Sequence, residues 1–308
     1  MLNNVIYFET RVNEYVNSMM IPGKKYSFFL DNGEPYDPFT KKMTIRKETE
    51  KMVVINEYSD DYGNYNVIVK KYASKDALQK VHGFCTDHNG KMANICSCST
   101  SVKLNPRCMA RAKNPDSICH CCFAAQMLKD YGDNMENKVA RNTERYTTRI
   151  LAMYELPLID PEMFPFFRFE SFGDISNTIQ VINYIQLARM NSRINFAWWT
   201  KNPDIIDAAL KEYGETIPEN VNIIYSSPKK NIQADAVTLK AKYPFITAIF
   251  TVYTAAYAIH HNVDINCGAR DCYNCATGCY RIHDRNNIVI VNEIEKSEQK
   301  AYYAALAA

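Results

Sequence analysis

The stretch Phe166-Phe167-Arg168-Phe169-Glu170-Ser171-Phe172-Gly173-Asp174 decides the fold of this chain. Residues 166–171 read as a strand, with Arg168 and Glu170 on one face and Phe167 and Phe169 on the other. Gly173-Asp174 then ends it at the carboxyl side. Three runs of the same kind follow, at Ile194 to Trp199, Val221 to Tyr225 and Ile246 to Val252, and Asn287 to Val291 offers another. Helices with readable ends lie between them. Ser176 is placed to cap a helix carrying Ile179, Ile182 and Ile185. Asn202-Pro203 supplies a cap and a proline at the first helical position, and Gly214 follows the last turn. Strands and helices alternating at a step of a little under thirty residues imply parallel strands with right-handed crossovers. The chain therefore reads as α/β. A partial or closed (β/α) barrel is the expected form, and an open sheet fits the same pattern. Neither GxGxxG nor GxxxxGK[ST] occurs, so a glycine-rich nucleotide site is not supported.

Upstream of this core, a helix is expected from about Cys121 to Tyr154, with Val139, Thr143, Tyr146, Ile150 and Met153 along one face. Arg141, Arg145 and Arg149 recur on another face, either to grip phosphates or as a solvated stripe. Residues 81–122 show little periodicity. Residues 1–80 form a polar, Tyr- and Lys-rich α+β appendage, with short strands expected at Tyr26 to Leu30, Met52 to Ile55 and Asn66 to Lys70. Turn signals stand at Asn32-Gly33 and Gly63-Asn64. The division is thus 1–80 as appendage and 81–308 as a cysteine-rich α/β domain. Lys and Arg total 36 against 34 Asp and Glu, a balance unlike that of a general polyanion binder. The first residues lack an apolar signal-peptide core, and no stretch is long and apolar enough to span a membrane, so a cytoplasmic protein is expected.

The 11 cysteines carry the chemistry. Cys85, Cys96, Cys98, Cys108, Cys119, Cys121 and Cys122 form one group, and Cys267, Cys272, Cys275 and Cys279 form another within 13 residues. In a reducing compartment such clusters bind metal more often than they form disulfides. The second group, Cys267-x4-Cys272-x2-Cys275-x3-Cys279, is crowded like a ferredoxin run rather than paired like a zinc ribbon, so an iron–sulfur cluster of 4Fe–4S type is expected, with zinc as the alternative. In the first group Cys108, Cys119 and Cys122 are the expected ligands, with Cys121 and Cys98 as alternatives. Cys119 and Cys122 would share a helix face, and Cys85, Cys96 and Cys98 read as buried small residues. Lys103, Arg107, Arg111 and Lys113 surround Cys108 and favour anionic thiolates or a phosphate.

The carboxyl ends of the strands are where α/β folds place their sites. There Arg168, Glu170, Asp174 and Lys201 are candidate catalytic groups, and Trp199 and Ser226 are candidate cofactor-binding groups. Of Trp198 and Trp199, one is expected against a helix and the other toward the pocket. His260, His261 and His283 are weaker candidates for ligands or acid–base groups.

Gly90-Lys91-Met92, Ser99-Thr100-Ser101, Asn105-Pro106-x-Cys108 and Ile118-Cys119-x-x-Cys122-Phe123-Ala124 together resemble the opening motifs of a phage and prophage family related to the mycobacteriophage gene-88 proteins. The later motifs are similar too: Arg168 to Asp174, Trp199-Thr200-Lys201-Asn202, Tyr225-Ser226-Ser227-Pro228 and Cys267-Gly268-Ala269-Arg270-x-Cys272-x-x-Cys275. The resemblance covers roughly residues 82–285 and implies a phage origin and a shared cysteine-rich site, without naming a reaction. The layout is also similar to that of radical-SAM enzymes, which combine a (β/α) barrel with a cluster. It departs from them in lacking Cys-x3-Cys-x2-Cys, so radical chemistry rests on analogy.

The reading that follows is a phage-encoded iron–sulfur protein, an enzyme with a small-molecule pocket at the strand ends. Both cysteine groups are expected to meet there, and adenosylmethionine is a candidate cofactor if one iron lacks a thiolate. The alternative is a nucleic-acid-binding or regulatory module with structural zinc, in which the Arg141/Arg145/Arg149 stripe and Lys103 to Lys113 contact phosphates.

Overall fold

The computed structural model describes residues 72–306 apart from 87–89, 153–154, 269–270 and 276–277, together with the backbone of four strands before residue 72. Those four are β1 (Val5–Phe8), β2 (Lys25–Leu30), β3 (Met52–Ser59) and β4 (Asn64–Lys71). They form a mixed sheet in the order β1-β3-β4-β2, with β2 parallel to β4 and the other pairs antiparallel. The three strands expected in this region are present, and β1 is an addition. The Asn32-Gly33 turn lies outside the described residues.

The main body runs α1 (Lys75–Lys80), β5 (Cys96–Cys98), α2 (Pro106–Ala112), α3 (Phe123–Thr147), β6 (Phe166–Phe169), α4 (Thr178–Met190), β7 (Asn195–Thr200), α5 (Pro203–Tyr213), β8 (Val221–Ser226), α6 (Ala236–Lys242), β9 (Ile246–Tyr253), α7 (Ala255–His260), β10 (Val289–Ile294) and α8 (Gln299–Leu306). Strands β5 to β10 form one parallel sheet whose spatial order is their chain order. Every crossover therefore steps in the same direction and, being right-handed, lays its helix on the same face. This is the winding of a partial barrel. The sheet is not closed, and β5 and β10 remain its two edges, so the closed form of the expectation is not adopted.

Alternation along the strands sorts side chains onto two faces. On the helix side, Phe167, Phe169, Phe196, Trp198 and Ile223 pack against Val181, Tyr184, Ile185 and Ala188 of α4 and Ile205, Ile206 and Ala209 of α5. Phe169 stacks on Tyr184 with ring centroids 4.2 Å apart. Tyr72 and Leu78 belong to this same core. On the opposite face, Ile95, Ala197, Ile224 and Ala248 are covered by Met92, Tyr280, Cys272 and Cys279. The described parts of the C-terminal cysteine segment thus lie on the face that the crossover helices leave bare.

Both sheet edges are occupied by irregular chain. Cys85 exchanges two backbone bonds with Ser97 of β5, at 2.8 and 2.9 Å. Along β10, the Asn266 side chain accepts from Asn292 N and donates to Ile290 O, and Cys267 N donates to Asn292 O, each at 2.9 Å.

Several local expectations are corrected. Helix α3 ends at Thr147 and consists of two pieces that meet at Gly132, whose φ of 65° and ψ of −160° break the helix. Asn177, rather than Ser176, caps α4 by accepting from Gln180 N, while Ser176 bonds to the Gln180 side chain. Asn202 stands at the expected cap of α5, but its side chain turns away from the helix and donates to Ile175 O. Gly214 has the expected left-handed conformation, φ 63°.

Candidate functional site at the strand ends

The first cysteine group is fastened over the carboxyl ends of the sheet. Asn105 caps α2, its side-chain oxygen accepting from Arg107 N (3.0 Å) and Cys108 N (3.3 Å). Its amide donates to Asp174 O at 2.8 Å, beyond the end of β6. One turn later, Arg111 donates to Lys201 O (3.0 Å) and Asn202 Oδ1 (2.5 Å) beyond β7, and its guanidinium lies 3.5 Å from the Asp174 carboxylate. Ser117 then caps a short 3-10 turn, Ile118–Cys121, and Ile118 N donates to Pro228 O (2.9 Å) beyond β8. Cys122 stands at the N-terminal cap position of α3 without a side-chain capping bond, and Lys296, just past β10, lies over the Phe123 ring at 5.3 Å. A single segment therefore spans the ends of β6, β7 and β8 and reaches the chain that leaves β10.

Cys108, Cys119 and Cys122 are brought into one neighbourhood by this docking. Cys108 and Cys122 pack on the same apolar cluster of Val102, Leu128 and Val139. Burial pushes the free Cys108 thiol up to about 12, with the charges of Asp174, Cys119 and Glu170 adding to the effect and the Lys201 ammonium opposing it. Cys119 and Cys122 do not share an α-helical face as expected, because one sits in the 3-10 turn and the other at a helix cap.

Asp174 is buried and fully engaged. It accepts from Thr200 Oγ1 (2.6 Å) and from Lys201 N (3.0 Å), so it ties the end of β6 to the end of β7. Glu170 is also buried, and it does not share a face with Arg168. Strand β6 stops at Phe169 and Glu170 adopts φ 56°, which turns its side chain into the helix side. There its carboxylate accepts from Thr100 N (3.1 Å), Thr100 Oγ1 (3.0 Å), Gln180 Nε2 (2.6 Å) and the Tyr184 hydroxyl (2.7 Å). Burial outweighs these four donors and pushes Glu170 up to about 7. The loop returns so tightly that a Cβ on Gly173 would lie 2.3 Å from Glu170 Oε2. Ser226 is buried at the end of β8.

Arg168 and Trp199 point to the other face. The Arg168 guanidinium lies 4.2 Å from the Trp199 ring centroid, which is 5.6 Å from Tyr280. Trp198 packs with Phe169 and Tyr184 on the helix side, so the two tryptophans divide between faces as expected. The single pocket expected for Arg168, Glu170, Asp174, Trp199, Lys201 and Ser226 is thus divided. Asp174, Lys201 and Ser226 stand at the strand ends, Glu170 lies beneath them, and Arg168 and Trp199 face the C-terminal cysteines.

Those cysteines form a second place. Burial raises the free thiols of Cys267, Cys272 and Cys279, and Lys91 or Arg168 opposes the rise at each. Lys91 Nζ donates to Cys267 Sγ (3.4 Å) and Glu293 Oε1 (2.5 Å). Cys275 N lies 3.4 Å from Cys272 O. The two groups share none of these partners, so the expected meeting of both at the strand ends is not what the fold provides. Among the described residues, no three His, Cys, Asp or Glu side chains are gathered closely enough to hold a metal ion as they stand. The donor chemistry in both places nevertheless suits a thiolate-bound metal: half-buried thiols, each group facing a cation.

Most of the expected phosphate-binding cations are engaged within the protein. Arg145 donates to Glu155 O, Arg149 pairs with Glu155, Lys103 with Glu136 and Arg107 with Asp204. Arg141 lines an open groove of about 770 Å³ along α3, together with Leu104, Asn137, Thr143, Glu144 and Thr147, and no cysteine lines it. His260 and His261 pack edge to face at the end of α7, and His283 lies in the loop before β10. Sequence reading missed Asn105, Lys91 and Glu293 as organising residues and gave Arg111 another role, since its guanidinium holds Lys201 O, Asn202 and Asp174 where a thiolate or phosphate was expected. Only Asn105 carried a local signal, the same Asn-Pro pattern read at Asn202-Pro203. No helix among the described residues is long and apolar enough to cross a membrane.

The fold and site define the class, a parallel α/β half-barrel with two separate thiol groups. Compared with family models, curated proteins and solved structures, the chain matches none.

Proposed function

We propose that this chain is a phage-encoded enzyme of the host cytoplasm that carries an iron–sulfur cluster of 4Fe–4S type at the carboxyl ends of its strands, on Cys108, Cys119 and Cys122. The observation that supports this reading is the fastening of the Cys108 segment across three successive strand ends, with the Lys201 ammonium facing the Cys108 thiol. A site built this way has a rigid base, because Asn105, Arg111 and Asp174 hold both the ligand helix and the strand ends. A cluster held by three thiolates leaves one iron open to a substrate group or to adenosylmethionine. Lys201 supplies a cation beside that position for an anionic small-molecule substrate, and Ser226 stands at the neighbouring strand end. The phage assignment rests on the ordered motif series from Gly90 to Cys275.

Anaerobic purification followed by iron, sulfide and zinc analysis and an optical spectrum tests the reading. A brown protein with iron and sulfide that are lost in Cys108→Ser is the expected result. A colourless protein with stoichiometric zinc would overturn it. The second reading, nucleic-acid binding with structural zinc, draws on Arg141 and its groove. It requires binding that weakens steeply with salt, and no retention of DNA or RNA at low salt removes it.

A further inference from the structure

The two edges of the six-stranded sheet do not pair, yet the chain connects them at one place. Residues 264–267 lie along the free edge of β10. A few residues later, Cys272 N donates to Lys91 O at 2.8 Å, in the Gly90–Met92 turn that leads into β5. Lys91 Nζ reaches back to Glu293 on β10 and to Cys267 Sγ. Glu293 shares a face of β10 with Val289, the face that the cysteine segment covers. The crossing is anchored again where Asn222, near the amino end of β8, donates to Cys279 O at 3.0 Å. Cys267 and Cys272 thus stand where the first and last strands are joined, Cys279 lies further along the same crossing at β8, and Cys275 N lies 3.4 Å from Cys272 O.

Lys91 is paired with Glu293 on this face, whereas Arg168 is not paired with a carboxylate among the described residues. The Arg168 Nε is buried without a hydrogen-bond partner. Its neighbours are the Trp199 ring at 4.2 Å, the Met92 sulfur, which accepts from Nη1 at 3.6 Å, and Cys272, Cys279 and Tyr280, none of them a carboxylate. A half-buried guanidinium calls for negative charge nearby. Four thiolates round a divalent ion carry two net negative charges, and Arg168 and Lys91 stand against them, with Lys91 shared with Glu293.

We infer that Cys267, Cys272, Cys275 and Cys279 form a second, independent metal centre for a thiophilic divalent ion of the zinc class, and that the bound ion fastens the turn before β5 to β10 and so closes the half-barrel. Four thiols lose their protons as the metal–sulfur bonds form. A tetrahedral ion with metal–sulfur bonds near 2.3 Å draws sulfurs to about 3.8 Å from one another. The thiols are not yet gathered that closely, so binding pulls the crossing segment tight over Tyr280 and Trp199.

The test is titration of the metal-stripped full chain with zinc, and with cobalt as a coloured substitute, while hydrogen exchange is followed by mass spectrometry. One equivalent is expected to bind with cobalt–thiolate absorption, and exchange at 264–267, 90–98 and 289–294 should slow by about tenfold or more while α4 and β7 stay unchanged. Cys272→Ser with Cys275→Ser should abolish both effects, and Cys108→Ser should abolish neither. Glu293→Gln keeps all four thiols and guards against misfolding of the cysteine variant. Its seam should exchange faster than wild type when stripped and recover when zinc is added. Zinc binding that survives loss of Cys272 and Cys275, or binding without slower exchange at the seam, overturns the inference. A chain that closes its seam with zinc but takes up no iron keeps this inference and removes the strand-end cluster.

Discussion

Glu170 gives the sharpest test of how the strand ends are organised. Its carboxyl is fully buried and its pKa stands at about 7 against an ordinary value of 4.5. The native state therefore holds this proton at pH values where the unfolded chain has released it. The stabilisation is complete below pH 4.5, declines as pH rises and is gone above about 7. The shift corresponds to roughly 3 kcal/mol over that window, with a slope no steeper than about 1.4 kcal/mol per pH unit. Glu170→Gln removes the titration at a local cost. Oε2 meets the fixed Thr100 N–H, and Oε1 meets the Gln180 amide, whose own carbonyl is held by Ser176 N (2.9 Å) and so does not flip. A glutamine offers one oxygen where two fixed donors point, which costs about 1–3 kcal/mol. At pH 4.5 the variant should be less stable by that amount. By pH 8 the gap should have closed or reversed.

Urea unfolding of both proteins at half-unit pH steps reads the difference. The comparison matters because His82 works in the opposite sense. Burial, then Arg145, lowers it to about 4, so its contribution is lost as pH falls below 6.5. His82 is present in both proteins and cancels. A difference between wild type and variant that stays constant from pH 4.5 to 8 would refute the reasoning.

Gly173→Ala should destabilise by about 1–3 kcal/mol in urea unfolding, since the new Cβ meets the Glu170 carboxylate and the Thr100 carbonyl at 2.3 and 2.7 Å. Gly214→Ala meets open space and should lose only about 1–2 kcal/mol, from its left-handed backbone. Asn105→Ala removes a cap worth about 1 kcal/mol and the tie to Asp174. It should lower iron content after anaerobic reconstitution more than it lowers Tm. Arg145→Ala should lower Tm by freeing Glu155 O and Val81 O. It should leave retention of DNA at low salt unchanged, whereas a fall in retention would favour the phosphate-binding role.

The strand–helix series was legible because each strand carries its own period and each helix its own cap. Phe167 and Phe169 fall on the face opposite Arg168 for that reason, and Trp198 and Trp199 divide between the two faces. Glu170 was misread because alternation alone places it beside Arg168, and nothing local announces a left-handed residue that is not glycine. Cys108, Cys119 and Cys122 were legible as a group, but their support was not. Asn105 and Arg111 act on Asp174 and Lys201, whose distance in sequence hides the contact. The separation of the two cysteine groups was invisible for the same reason, since it depends on which face of the sheet the C-terminal segment crosses.

The seam has a consequence for how the molecule is made. Each βα unit from β5 to β9 lies beside its chain neighbour, so the sheet can grow in the order in which it is synthesised. The Lys91–Glu293 pair joins residues 202 positions apart. Loop-closure entropy makes such a contact late, and it cannot form before residue 293 has left the ribosome. Until then the face bearing Ile95, Ala197, Ile224 and Ala248 stands uncovered. The nascent half-barrel therefore presents an apolar surface until its last segment arrives, and the exposed interval is set by translation as much as by folding.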